Sequence, residues 1–449
     1  MEMRDVIHGS ILIHPTEIPI LNSPYFQRLR QIKQLGFAEN SFPSATHNRF
    51  IHSLGAMKTA TQALRTIFQK HPHPVLSPAK LSSFRAVVRL ASLLHDIGHG
   101  PLSHATEFAM PEVRKLQLPH LREGQSTSRK ATHEDYTLKM ILDSPLTPLI
   151  QKAGKKHGFQ PLHVAGLIQP QLEVLDDFFM ENIRESFSHS SQTVDFRPLL
   201  QQLISSELDA DRMDYLRRDS LYTGVSYGQF DFDWLVGNLT YHIQKNQCYL
   251  ALQHRALYTF EDFLLSRFHM FLMVYFHHKS VIFDEMLGQY FLESEDQYSL
   301  PADIEKYCQL DDAHLTAHLA QSSNPWARRI IEKKPYRMLI ELHSGIPATQ
   351  TANLEHQVLL TEIQKNLTHQ KMHYLSITST SELSKYFRRP GNPIFVRYDN
   401  HYSDPSFIPL EQCTDLFQKY SEKRTITRLY VSPENYPFCK NLGRTSSLR

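Results

Sequence analysis

Residues 93–104 read L-L-H-D-I-G-H-G-P-L-S-H, the stretch that most restricts what this chain can become. His95, Asp96, His99 and His104 crowd the end of an apolar run, Val87–Leu94. That run predicts a helix driven into the core, with His95 and Asp96 delivered at its buried end. Gly98 and Gly100 then free the backbone, and Pro101 forbids a simple continuation. His99 lies four residues beyond His95 and shares its face if the helix runs that far. Imidazole nitrogens beside a carboxylate are the donors that divalent transition metals prefer. A lone His-Asp pair would read as a buried histidine satisfied by an acid. Repeated histidines in a glycine-rich corner favour chemistry, provided that distant ligands complete the set.

Length and composition set the frame for that corner. A chain of 449 residues, 41% hydrophobic and 21% charged, can bury a substantial core in more than one lobe. The formal net charge of +2 carries no global polyanion signal. Cys248, Cys308, Cys413 and Cys439 form no CxxC pair, which fits a reducing compartment and excludes a Cys-rich zinc module. Met1–Asp5 has no apolar signal core. The most apolar helical pattern, Phe263–Phe276, is interrupted by Arg267 and His269 and is too short to span a bilayer. A cytoplasmic protein without membrane contact is expected.

Along the chain, residues 5–14 predict a hairpin around Gly9 and Ser10. Ser23 as cap, Pro24 at the first helical position and Gly36 as terminator predict one helix between them. Its Arg28, Arg30 and Lys33 suit a solvated face as well as a binding one. Arg49 and His52 lie three apart on a second helix, so a phosphate-binding guanidinium and a candidate ligand share one face. A Pro/His-rich turn covers 71–78, and the polar stretch 111–130 reads as a mobile loop or lid. His133 and Glu134 open another helix, either as dipole complementarity or as acid–base machinery. Further helices are expected over 140–206, with polar joints at 152–157 and 188–192.

A second informative stretch follows. Asp211, Tyr215 and Asp219 fall at i, i+4 and i+8 with Arg212 adjoining, which makes a wall for a sugar phosphate or a solvated charged face. Tyr241–Leu252 predicts a hairpin turning at Lys245 and Asn246. The helical region from 255 into the 290s carries Arg267 and Tyr275 as its polar exceptions. After about residue 334, β-like runs at Tyr336–Leu342, His373–Thr378, Ile394–Tyr398 and Thr427–Val431 alternate with helical patterns at Leu354–Leu367 and Leu410–Lys423. Pro390–Pro393 reads as a turn. The expected fold is mainly α, with short hairpins over residues 1–333 and a smaller α/β lobe over 334–449 for regulation or oligomerisation. No Gly-rich phosphate loop is present, which argues against a P-loop nucleotide binder.

The strings F-Q-R-L-R-Q-I-K-Q-L-G, H-N-R-F-I-H-S-L-G, L-L-H-D-I-G-H-G-P-L-S-H and D-A-D-R-M-D-Y-L-R-R-D, in this order, resemble the deoxynucleoside triphosphate (dNTP) triphosphohydrolases of the HD superfamily. The likeness covers roughly residues 4–290; the C-terminal lobe is similar only in general character. It implies an HD-type helical core over 1–333. It also implies a divalent metal, with Fe, Mn, Zn, Ni and Mg all open, held by His52, His95, Asp96 and Asp211. His99 and His104 would lie beside the α-phosphate, and His133 would be the acid–base residue. Arg49, Arg212 and Arg267 would meet phosphate oxygens. Gln34, Tyr215 and Asp219 would hold the sugar, while Leu35 and Tyr275 crowd its 2′ position. The implied products are deoxynucleoside and inorganic triphosphate.

The implied partners are dNTP substrates, a nucleotide activator and further copies of the chain in a dimer or tetramer. Asn22 departs from the acid found in guanine-activated members, and Phe271 and Phe276 stand where polar residues occur near the substrate. Two alternatives stay open. One is an HD phosphohydrolase acting on another nucleotide or phosphoester. The other is a nucleic-acid-binding regulatory protein, which Arg28, Arg30 and Lys33 would serve.

Overall fold

A computed structural model describes residues 1–70, 76–118, 128–184, 191–293, 298–345, 350–384, 392–420 and 423–440. Strands β1 (Glu2–Asp5) and β2 (Gly9–Leu12) pair antiparallel, so the first hairpin forms. Its turn is residues 6–8 rather than Gly9 and Ser10. Helix α1 (Arg49–Lys70) buries Leu54, Met57, Ala60, Leu64 and Ile67 at helical spacing. Helix α2 (Pro78–Leu94) is capped by the Ser77 hydroxyl and packs Phe84, Val87, Val88, Ala91 and Leu94 into the same core. Arg89 of α2, 4% exposed, forks onto Glu17 at 2.6 and 2.7 Å and ties the N-terminal segment to it.

Helix α3 (His133–Leu142) starts at a Thr132/Asp135 capping box, and α4 (Ala210–Thr223) is capped by Asp209. α4 lies across α1 at Gly55. A Cβ there would sit 1.9 Å from Asp214 Oδ1 and 2.4 Å from Arg218 Nη2, so only glycine allows the approach. Helix α5 (Leu257–Met270) runs into a π-helical turn at Phe271–Tyr275, followed by α6 (His278–Glu293). Arg267 and Tyr275 are therefore not joined by uninterrupted α-helix.

Three expectations are corrected. Ser23–Gly36 is not one helix. A short helix at Pro24–Gln27 tightens into a 3-10 turn at Arg28–Gln31, and Ile32 is extended. Lys33 bridges Asn48, and the Gln34 N–H donates to His47 O. The Arg28 guanidinium turns inward to the carbonyls of Ile97, His99 and Leu310, so tertiary contacts override the local helix signals. Second, 140–206 is not wholly helical. Strands β3 (Met180–Arg184) and β4 (Ser191–Asp195) pair there, and the expected joint at 188–192 falls partly outside the described residues. Third, Leu410–Lys423 divides into a 3-10 turn at Leu410–Gln412 and a short helix at Leu416–Lys419. Between them Thr414 is drawn into a hydrogen bond with Glu261.

Strands β5 (Leu239–Gln244) and β6 (Gln247–Gln253) form the second expected hairpin, with Lys245 and Asn246 in left-handed conformations at its turn. In the C-terminal region, β7 (Arg337–Ser344), β8 (Tyr374–Ser381) and β11 (Arg424–Val431) form an antiparallel sheet in the order β7-β11-β8. Helix α7 (Gln350–His369) packs Ile363 and Leu367 against Leu429 and Val431. Strands β9 (Phe395–Tyr398) and β10 (Ser406–Pro409) leave that sheet, because β9 pairs in parallel with β6. The mainly α fold with an α/β C-terminal region is the observed one. In the expected lid, Val113–Leu116 is helical and Glu112 bridges Lys130, while 119–127 lies outside the described residues. Residues 71–75 of the Pro/His-rich turn and 390–391 of the Pro390–Pro393 turn also lie outside them.

Gly55→Ala tests the α1–α4 crossing. Overpacking at this contact is expected to cost about 1–3 kcal/mol in denaturant unfolding and to lower the thermal midpoint. A wild-type midpoint would mean that the helices part without penalty.

Candidate active site

The apolar run of α2 ends at Leu94, with His95 as its C-cap residue, so His99 does not continue on the face of His95. The turn that follows is held from α3. Thr137 Oγ1 donates to His95 O at 3.1 Å and accepts from Gly98 N at 3.0 Å. A Cβ on Gly98 would meet His133 O at 2.1 Å, which explains the glycine there. Beyond it Leu102 and Ser103 both adopt left-handed φ values, 54° and 58°. Such backbone is costly for non-glycine residues and persists only where the surroundings fix it. Asp312 accepts the Leu102 N–H, and Ser103 donates to Lys33 O while accepting from Arg49 Nε.

His52 from α1, His95 and Asp96 from the end of α2, and Asp211 from α4 converge. Each of the first three presents one ligand atom within 4.8 Å of the others. His52 Nε2 lies 3.0 Å and His95 Nε2 3.4 Å from Asp211 Oδ1, and each is 3.5 Å from an Asp96 oxygen. The two Nδ1 atoms are already engaged, with Asp214 Oδ2 at 2.8 Å for His52 and Ser92 O at 2.8 Å for His95. Both Nε2 atoms are buried without an aligned hydrogen-bond partner among the described residues. Two buried imidazole Nε2 atoms facing two carboxylates, with Nδ1 fixed from behind, fit a divalent transition-metal ion. Burial opposes charge on His52, yet Asp211 and Asp214 push its imidazole up to about 10. Burial likewise opposes ionisation of Asp96, but His95, Arg49 and His99 hold it well below the usual carboxylate range.

Beside the metal corner stands a second imidazole group. His99 Nε2 is 3.4 Å from Asp96 Oδ1, and its ring stacks on His133 at 3.9 Å with the planes 11° apart. Nearly parallel rings cannot both aim in-plane lone pairs at one ion, so this trio suits phosphate and proton handling better than a shared metal. Burial, Arg49 and His133 keep His99 well below its ordinary value, hence neutral. His104 and Glu107 sit three apart on a 3-10 turn, where such positions eclipse. Glu107 accepts from His104 Nδ1 at 3.2 Å and His133 Nδ1 at 2.6 Å.

Of the remaining expected residues, Arg212, Tyr215 and Asp219 lie on α4. Asp219 takes His47 Nε2 at 2.7 Å on one oxygen and the Tyr275 hydroxyl at 2.8 Å on the other. Tyr215 meets Tyr275 edge to face. Gln34 is buried with Oε1 unpartnered among the described residues, and Leu35 is half-buried beside it. Arg49 pairs with Asp96 at 2.5 Å. Arg212 and Arg267 flank the buried Glu207 at 3.0 and 3.6 Å. A cavity of about 780 Å³ adjoins Arg212, walled also by Arg129, Glu134, Arg197 and Glu207. Asp214, Glu107, His47 and Glu207 escape sequence reasoning. Asp214 reads as an ordinary i,i+4 partner of Arg218, and Glu107 precedes the expected loop in a stretch that carries no motif.

Residues 49–219 match the HD domain and residues 230–363 the HD associated region. An uncharacterized protein of Methanocaldococcus jannaschii is 30% identical over 338 residues, 75% of this chain and 59% of that protein. The deoxynucleoside triphosphate triphosphohydrolase of Homo sapiens is 26% identical over 363 residues, 76% of this chain and 54% of that protein. The chain thus spans little more than half the length of these relatives. The crystal structure of a hypothetical protein from Aquifex aeolicus shares the fold, with a TM-score of 0.71 at 24% identity, covering 98% of this chain and 99% of that one.

His52→Gln and His95→Gln are each expected to abolish stoichiometric transition metal in the purified protein, read by elemental analysis. His104→Gln should leave it intact; loss of metal in that variant would move the site toward the second imidazole group.

Proposed function

The chain belongs to the HD phosphohydrolase family, and from that premise we propose that it hydrolyses dNTPs to deoxynucleoside and inorganic triphosphate. The observation that carries this reading is the alignment of two chemistries along α4. Asp211 faces the metal corner, and Asp219, two turns on, faces Tyr275 and His47. Eight residues of helix advance about 12 Å, commensurate with a phosphate at one end and a pentose at the other.

His52, His95, Asp96 and Asp211 would hold a divalent ion. When bound, it supplies Lewis acidity and lowers the pKa of water in contact with it. Arg49, already fixed by Asp96 and Ser103, and Arg212 and Arg267, fixed by Glu207, present charge to the phosphate oxygens without reorganising. Water attacks the α-phosphorus and the bond to the nucleoside oxygen breaks. His133, whose Nδ1 is held 2.6 Å from Glu107 Oε1, gives that oxygen its proton, while His99 and His104 contact the phosphate. Asp219 accepts the sugar hydroxyl with Gln34 and Tyr215 beside it, and Leu35 and Tyr275 close the space a 2′-hydroxyl would need. Assembly into a dimer or tetramer and response to a nucleotide activator belong to the same reading. Among the described residues no helix is long and apolar enough to cross a membrane.

Each dNTP, incubated with the purified chain and Mn²⁺ or Mg²⁺, is expected to yield deoxynucleoside and triphosphate on chromatography. Tyr275→Ala should narrow the preference for deoxyribose over ribose by roughly 10-fold or more. Monophosphate or pyrophosphate as product would assign the site to another phosphoester reaction.

A further inference from the structure

The N-terminal hairpin reaches the metal corner from behind. Asp5 Oδ2 accepts the backbone N–H groups of Ile7 and His8, both at 2.9 Å, and this tight turn presents the His8 side chain inward. His8, with only 3% of its side chain exposed, places Nε2 2.6 Å from Asp214 Oδ1. The other oxygen of Asp214 lies 2.8 Å from His52 Nδ1. Arg218 adds Nε at 2.8 Å and Nη2 at 2.9 Å, and its remaining N–H groups return to Asp5. Asp214 is fully buried, and four donors converge on its two oxygens.

The proton positions follow from that crowding. An ionised carboxylate only accepts, so both imidazoles donate to it. His52 Nδ1 is thereby committed to Asp214, and Nε2, the atom that faces Asp96 and Asp211, is the one left for the ion. Arg218 bonds to both oxygens of Asp214 and supplies most of the opposing charge. His8 contributes a second directional bond on Oδ1 and so helps to fix the tilt of the carboxylate that meets His52. Its ring is packed edge-on to Phe232 at 6.2 Å, which limits its own rotation.

We infer that His8 is a positioning residue for the metal end of the site: through Asp214 it aligns His52 and sets how tightly the divalent ion is held. This rests on the proposed role of His52 as a ligand. The first turn of the chain is thus part of the active site without touching substrate or ion.

The test titrates Mn²⁺ into the metal-free full-length chain, with free ion read by electron paramagnetic resonance and metal-free unfolding midpoints measured alongside. His8→Phe, which keeps a ring and loses the donor, is expected to weaken Mn²⁺ binding roughly 10–100-fold, the usual effect of removing a hydrogen bond behind a ligand. His8→Gln, whose amide places an N–H where Nε2 stood, should bind close to wild type. Should His8→Phe not fold, His8→Met fills the space without a donor and takes its place. Equal weakening in the donor-bearing and donor-free variants would reduce His8 to a packing residue and overturn the inference. So would wild-type affinity in the donor-free variant while His52→Gln loses the ion, and in that case the ligand reading stands. Wild-type binding by His52→Gln would remove both.

Discussion

One buried carboxylate, Asp214, carries the arrangement. Charges of alternating sign run inward from the hairpin: Asp5, Arg218, Asp214, His52, Asp211. Each of these groups would cost several kcal/mol to bury alone, and each is accommodated because its neighbour carries the opposite sign. Arg218, buried as completely as Asp214, cannot pair with Asp214 alone without leaving N–H groups idle, and Asp5 takes those. Helix α1 brings His52, α4 brings three members of the series, and Gly55 lets the two helices approach closely enough to connect them. The helix packing and the polarity of the site are one constraint.

The same logic governs three further arginines. Arg49, Arg212 and Arg267 each lie against an acid, so their positions are set within the fold. Burial pushes Asp209, the cap of α4, up to about 7 despite the proximity of Arg212, whereas Asp96 stays well below the carboxylate range because three cationic or imidazole groups face it. Neighbouring carboxylates on one short path thus differ in charge according to what faces them. That difference leaves the negative charge concentrated around His52 and His95.

The sequence announces the corner at His95 and Asp96 because chemistry, glycine and an apolar run coincide within a dozen residues. The helices of Arg49 and Asp211 and both hairpins are legible for the same local reasons, periodicity, caps and turn residues. Asp214 is not legible, since four residues before an arginine any aspartate looks like a surface pair; only the burial of Arg218 distinguishes it. Ser23–Gly36 carries sound helix signals, yet Ile32–Gln34 exchange helical bonds for contacts with residues 47–49, a decision made far along the chain. Strands β3 and β4 read poorly because segments such as Ser191–Asp195 are mostly polar and lack the alternation of a half-buried strand. The site was written in residue identities; the supports beneath it exist only in three dimensions.

The pairing of β9 with β6 bears on how the chain is made. Ala251 and Phe395 are neighbours in one sheet but are separated by α5, α6 and the strands β7 and β8. A ribosome releases β6 long before β9, so β5 covers one of its edges and β4 meets the other only at Gln247, while the stretch that will meet β9 waits. Closing so long a loop is a late event, entropically unfavourable until both ends are ordered. The edge at residues 251–253 is therefore a place where a nascent copy of this protein is exposed to pairing with the wrong strand.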